Sequence, residues 1–207
     1  MEDLLDLYAE AFDPLRPVVC FDELPYQLVG ETCLPLPLLP GKPIRYDYEY
    51  RRNGTCNLFM FFQPLAGWRH VDVTEQRTGR DFAYRMKDLV DVHFPEAEVI
   101  RVVLDNLNTH TPAALYEIFE PQEARRIVRQ LEFHFTPKHG SWLNMAEIEI
   151  SVLDRQCLDR RLAKVSIVRS EVAAWEALRN DQCATVDWRF TTTKARSKLE
   201  FLYPSKS

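Results

Sequence analysis

Two short apolar runs, each ending on an aspartate, constrain this chain more than any other feature. They are Val18-Val19-Cys20-Phe21-Asp22-Glu23 and Val102-Val103-Leu104-Asp105-Asn106. A brief valine-rich run reads as a buried strand. Val18 to Phe21 and Val99 to Leu104 are therefore expected as strands that hold each aspartate near a strand end. A third acid, Glu147, lies in Trp142-Leu143-Asn144-Met145-Ala146-Glu147, within a stretch that reads as a helix from Asn144 to Leu158.

The segments around these acids alternate in kind. Residues 2–12 carry apolar positions at helical spacing, and Pro14 and Pro17 end that helix. Leu34 to Pro43 holds Pro35, Pro37, Pro40 and Pro43 with Gly41 and reads as an extended loop. Asn57 to Phe62 and Trp68 to Val73 flank the turn Pro64–Gly67 and read as a hairpin. Asp81 to Val92 is expected as a helix. A second begins at Thr111 or Pro112, since proline suits a first turn. Glu123 to Gln130 continues helical, Leu131 to Phe135 is a strand, and Ser166 to Arg179 is a helix capped by Ser166. Strands that give way to alternating helices predict an α/β fold: a mixed central sheet with helices on both faces. The expected organisation is an N-terminal helical extension (1–17), a core (18–165), and a C-terminal helix with a basic tail (166–207).

Composition removes several classes of function. No window approaches ~20 uninterrupted apolar residues, as a membrane span requires. The acidic start Met1-Glu2-Asp3 is neither a secretory signal nor a transit peptide. Five scattered cysteines show neither paired zinc spacing nor a disulfide framework, which fits a reducing cytoplasm. Net charge is −5, and affinity for DNA comes largely from neutralising phosphates. The charge is uneven, with an acidic first thirty residues and a basic Lys194-Ala195-Arg196-Ser197-Lys198 near the end. DNA binding by the isolated chain is expected to be weak.

Carboxylates gathered on rigid elements suit a pair of divalent cations. Two such ions roughly 4 Å apart activate a water or 3′-hydroxyl and stabilise the leaving oxygen of a phosphodiester. Each candidate also has a plainer reading. Asp22 reads equally as a turn cap, and Asp105-Asn106 as an Asx turn before a helix. His110 is a cap, a carboxylate partner or a surface histidine. Glu147 and Glu149 lie about 200° apart on a helix, so one site cannot easily use both. Ser151 and Asp154 share the face of Glu147, whereas Met145 and Val152 flank Glu149. Glu147 is the expected ligand, and Glu149 an acid paired with an arginine. Asn144 reads as a cap for the helix start. Lys138 and His139 precede that helix and are candidates for phosphate contact. Arg51-Arg52 is either a DNA contact or an exposed basic turn.

In combination, Phe-Asp-Glu, Leu-Asp-Asn-Leu-Asn-Thr-His and Pro-Lys-His-Gly-Ser-Trp-Leu-Asn-Met-Ala-Glu-Ile-Glu resemble the catalytic domain of mariner-like DDE transposases, in their bacterial insertion-sequence branch. The resemblance runs from about Val18 to about Tyr203. It implies an RNase H-like fold, two Mg²⁺ or Mn²⁺ ions, and DNA cleavage with strand transfer, usually into a TA dinucleotide. It also implies Asp22, Asp105 and Glu147 as catalytic metal ligands; Asn106, His110 and Asn144 are the candidates to support them from behind. The implied partners are double-stranded DNA, as transposon ends and target, and a second copy or a full-length transposase, in the cytoplasm and on the nucleoid. The chain departs from the family in two ways. Asp105 and Glu147 are further apart than usual, and few residues precede the first strand, so the helix-turn-helix module of the family is missing. A simple nuclease, or a silent remnant that only dimerises, are the alternatives.

Overall fold

The computed structural model describes residues 1–32 and 48–203. The proline-rich loop expected at Leu34 to Pro43 lies outside the described residues. The strands are β1 (Val18–Glu31), β2 (Tyr50–Gln63), β3 (Trp68–Thr74), β4 (Ile100–Leu104) and β5 (Leu131–Phe135). They form one sheet in the order β3-β2-β1-β4-β5. β1, β2 and β3 are antiparallel neighbours. β4 runs parallel to β1 on one side and to β5 on the other. This is the mixed sheet that the alternation of elements predicts.

Side chains alternate across a sheet, and the sequence fills both faces with apolar groups. Val18 and Cys20 of β1 and Val103 of β4 enter one core cluster. Val19 and Phe21, with Val102 and Leu104, enter the other. The first face is covered by α1 (Glu2–Tyr8), α5 (Ala146–Leu153), α6 (Val165–Asp181) and α7 (Thr192–Lys198), through Leu4, Leu5, Ala146, Leu153, Val168, Val172 and Ala195. The second face is covered by α2 (Gly79–Asp88), α3 (Pro112–Ile118) and α4 (Pro121–Arg129), through Phe82, Met86, Leu115, Ala124 and Ile127. Helices therefore lie on both faces of the sheet, as expected.

Several boundaries differ from the sequence reading, each for a local reason. β1 does not stop at Phe21 but continues to Glu31, and β2 begins at Tyr50 rather than Asn57. Beyond Cys20, β1 pairs only with β2. Pro25 thus sits in an edge segment, where its missing N–H is tolerated. The expected helix at Asp81 starts at Gly79, set by a capping box between Thr78 and Asp81, and runs on as a π turn, Leu89–His93. The expected helix from Asn144 is a 3₁₀ turn, Ser141–Leu143, then α5, then a π turn, Asp154–Leu158. Ser166 is not a cap: α6 opens at Val165 behind Lys164, which makes no side-chain cap bond. The basic tail is in part a helix, α7, whose Thr191 side chain accepts from the Lys194 amide.

Candidate active site

Parallel register brings the two aspartates level. Cys20 pairs with Val103, and Asp22 and Asp105 each follow two residues later. By alternation Asp22 belongs to the face that carries Cys20, the face covered by α5, while Asp105 follows directly after the end of β4. Neighbouring strands are about 4.8 Å apart, so adjacent backbones present the two acids at one end of the sheet.

Glu147 arrives there because the segment before it is pinned twice. The Tyr8 hydroxyl donates to the Leu143 carbonyl at 2.8 Å. Asn144 is buried. Its Nδ2 donates to the Phe21 carbonyl at 2.8 Å, and its Oδ1 accepts from the Ala146 amide at 3.1 Å. The N-cap of α5 is Met145, not Asn144; Asn144, one residue earlier, takes the first amide of the helix and stitches that turn to the residue preceding Asp22. Glu147, half-buried, lies in the first turn of α5.

The Asp22 carboxyl is pushed up to about 6. Burial is the main cause, and the negative charges of Asp105 and Glu147 add to it. The Glu23 amide, which donates to Asp22 Oδ1 at 2.8 Å, and the charge of His110 oppose the shift. The Asp22 carboxyl thus senses two other acids, one just past β4 and one on α5. Among the described residues, no three His, Cys, Asp or Glu side chains stand together as a ready metal cage.

His110 lies behind Asp105. A backbone bond from its amide to the Leu107 carbonyl, 2.9 Å, turns the loop after β4 back on itself. The ring is buried. It stacks on Phe82 and meets Phe21 edge-on. Nδ1 lies 2.5 Å from Asp105 Oδ1 and Nε2 lies 2.9 Å from Glu23 Oε1. Burial alone would lower its pKa, but hydrogen bonds to Asp105 and Glu23 outweigh this and raise it to about 9. At neutral pH the ring is a cation with both nitrogens donating. Glu23, on the opposite face from Asp22 as alternation requires, is thereby the second anchor of His110. Its parity with Phe21 was readable in the sequence. Its partner was not, because the turn at Leu107 decides where His110 lands.

The remaining candidates are dispersed. Asn106 is exposed beside Asp105. Lys138 and His139 are exposed in the turn before the Ser141 3₁₀ turn, with His139 at φ 62°. Arg51 and Arg52 are exposed on β2 opposite Gly30 and Val29. That is roughly 20 Å along the strand from Asp22, and the fold does not bring them to the acids. Glu149 is buried against Arg69 and Arg179, the arginine-paired acid anticipated.

Asp22, Asp105 and Glu147 offer only carboxylate oxygens. Hard oxygen donors suit Mg²⁺ or Mn²⁺, and the charge that Asp105 and Glu147 place on Asp22 is the kind that a cation relieves. The donor set therefore fits the implied ions.

A mixed sheet in this order, with helices on both faces, is an RNase H-like fold. Residues 17–169 match the family described as DDE superfamily endonuclease, and the chain belongs to that family. Among solved structures it is similar to the Mos1 mariner paired-end complex with Mn, at 16% identity and TM-score 0.61, over 88% of this chain and 54% of that one. It is similar to the Mos1 transposase paired-end complex with left transposon end, at 16% identity and TM-score 0.58, over 88% and 58%. It is also similar to the Mos1 strand transfer complex, at 14% identity and TM-score 0.58, over 91% and 60%. The fold is thus that of a mariner-like DDE transposase catalytic domain. The chain spans little more than half the length of those chains. No curated protein sequence matches it.

Proposed function

We propose that this chain is the catalytic domain of a DDE transposase, which cleaves double-stranded DNA at transposon ends and joins the freed 3′ end to target DNA. The observation that carries this reading is the register that levels Asp22 with Asp105 across adjacent parallel strands, with Glu147 in the first turn of α5 tied to Phe21 through Asn144. Asp22, Asp105 and Glu147 are the residues that would hold two Mg²⁺ or Mn²⁺ ions. Bound there, the ions supply activation of the attacking water or 3′-hydroxyl and stabilisation of the leaving 3′ oxygen. His110 holds one oxygen of Asp105. Asn144 holds the first turn of α5 and with it Glu147. Asn106 borders Asp105. Lys138 and His139 steady the backbone of the reacting strand, and Arg51 and Arg52 contact the duplex further out.

With a net charge of −5, the domain binds DNA weakly and in a salt-dependent way. A helix-turn-helix module, on a full-length partner or on a second copy, supplies the grip. The setting is a bacterial insertion sequence, acting in the cytoplasm on the nucleoid. The test fuses a helix-turn-helix module to residue 1 and supplies its duplex site with Mn²⁺ or Mg²⁺. Wild type should nick the DNA and join ends, and Glu147→Gln should do neither. Nicking without joining would identify a simple nuclease. Wild-type activity equal to that of Glu147→Gln would overturn the assignment.

A further inference from the structure

Trp142 lies in the turn between Lys138-His139 and Glu147, and it is 45% exposed. Exposure of one aromatic ring is ordinary on a protein surface; what sets Trp142 apart is its place, between two exposed basic side chains and the candidate catalytic helix. The ring is also held rigidly. Its plane lies within 18° of the Trp188 plane at a centroid distance of 6.5 Å, and Phe190 meets it edge-on at 5.7 Å. Trp188 is fixed in turn by its Nε1 bond to the Phe190 carbonyl, 2.8 Å, and by contact with Tyr8 at 5.3 Å. Tyr8 is the residue that pins Leu143. The indole is thus tied to the same scaffold that places Glu147.

We propose that the outer face of Trp142 is a stacking platform for one unpaired nucleobase of the DNA strand entering the candidate site. The inference rests on the DNA-cleaving reading above and adds where a base is held. Two features select a base over a protein segment. The neighbours of the ring along the chain, Ser141, His139 and Lys138, are exposed and polar, as are Asp187 and Arg189 beside Trp188. Lys138 and His139, four and three residues before Trp142, also supply cationic or hydrogen-bonding groups for the phosphate next to a stacked base. Aromatic platforms with nearby cations hold single-stranded nucleic acid in this way, with little regard to sequence. Within a duplex each base already has stacking partners, so the occupant is a base freed at a nick, an end or an overhang.

The test uses the full chain with Ca²⁺ in place of Mg²⁺ and a short duplex with a 3′ overhang. The overhang carries 2-aminopurine, whose fluorescence falls on stacking. Wild type should quench the probe, and an abasic site at that position should weaken binding about tenfold. Trp142→Ala should bind both probes equally and not quench, while Trp142→Phe should retain part of the quenching. Asp105→Asn should quench like wild type and, in the helix-turn-helix fusion with Mg²⁺, lose nicking, which separates the platform from the chemistry. If Trp142→Ala does not fold, Trp142→Leu against Trp142→Phe reads the same difference. Wild type that fails to quench, or Trp142→Ala that quenches like wild type, overturns the proposal. Intact quenching in a wild type whose helix-turn-helix fusion fails to nick with Mg²⁺ or Mn²⁺ would sink the catalytic reading and leave the platform standing.

Discussion

Glu147 and Glu149 stand two residues apart on α5 and answer to different physics. Glu149 is buried with Arg69 Nε at 3.0 Å, and it accepts from Arg179 Nε and Nη2, each at 3.0 Å. Arg69 is itself fully buried. Glu149→Gln strips the counter-charge from a buried guanidinium and should cost about 3–5 kcal/mol, measured by urea denaturation. Glu147→Gln, half-exposed, should leave stability within about 0.5 kcal/mol and remove nicking. His110 carries a pH signature. Its folded pKa, about 9, exceeds the ordinary 6.5, so its contribution is complete below about 6.5 and fades as pH rises through about 9. Between about pH 7 and pH 10, wild type should lose more stability than His110→Gln. Asp22 has the opposite consequence. Its folded pKa of about 6 lies above 3.8, so the folded protein binds more protons across that interval and loses stability as pH rises through it. Metal competes for the same carboxylate. The rise in melting temperature caused by Mg²⁺ should be larger at about pH 7.5 than at about pH 5.5, and absent in Asp105→Asn.

Elements differ in how openly the sequence announces them. β5 was readable in full, because Leu131 to Phe135 is an apolar-polar alternation closed by Gln130 and Thr136. The hairpin of β2 and β3 was readable because Gly67, at φ 66°, marks its turn. β1 was readable only to Phe21, since Asp22, Glu23, Pro25 and Gly30 imitate a strand end. Its continuation depends on β2, which the local sequence cannot show. α7 was missed because Ala195 is its one buried residue. For the site, the acids and their order were legible, while the ties that orient them were not. Asn144 read as a cap, yet its second bond reaches the Phe21 carbonyl across the core. Asn144→Ala would leave that carbonyl and the Ala146 amide unpaired, at about 1–3 kcal/mol for each buried group. Activity should fall by more than the loss of folded protein accounts for. Stability curves and nicking rates on the same samples check this, and parallel losses would make Asn144 a packing residue only.

At the scale of the molecule, the two ends of the described chain are fastened to each other. Arg196 Nε and Nη2 donate to Glu2 at 2.7 Å each, and Thr192 Oγ1 donates to Asp6 Oδ1 at 2.6 Å. Such exposed pairs add little stability singly. Beneath them, Leu4, Leu5 and Ala195 share one core cluster, so α1 and α7 are bound together by buried surface. This makes the fold nearly a ring. A short peptide joining Tyr203, which lies against Glu2, to Met1 would span little distance, and the chain could then be opened elsewhere, for example between Gln76 and Arg77 in the exposed stretch before α2. Chains whose ends lie close commonly accept such permutation. The permuted protein should melt cooperatively near the wild-type temperature, and with Mn²⁺ its nicking should match that of the unpermuted chain. Where translation starts would then be incidental to the architecture, and a DNA-reading module could be attached at whichever edge best reaches its duplex.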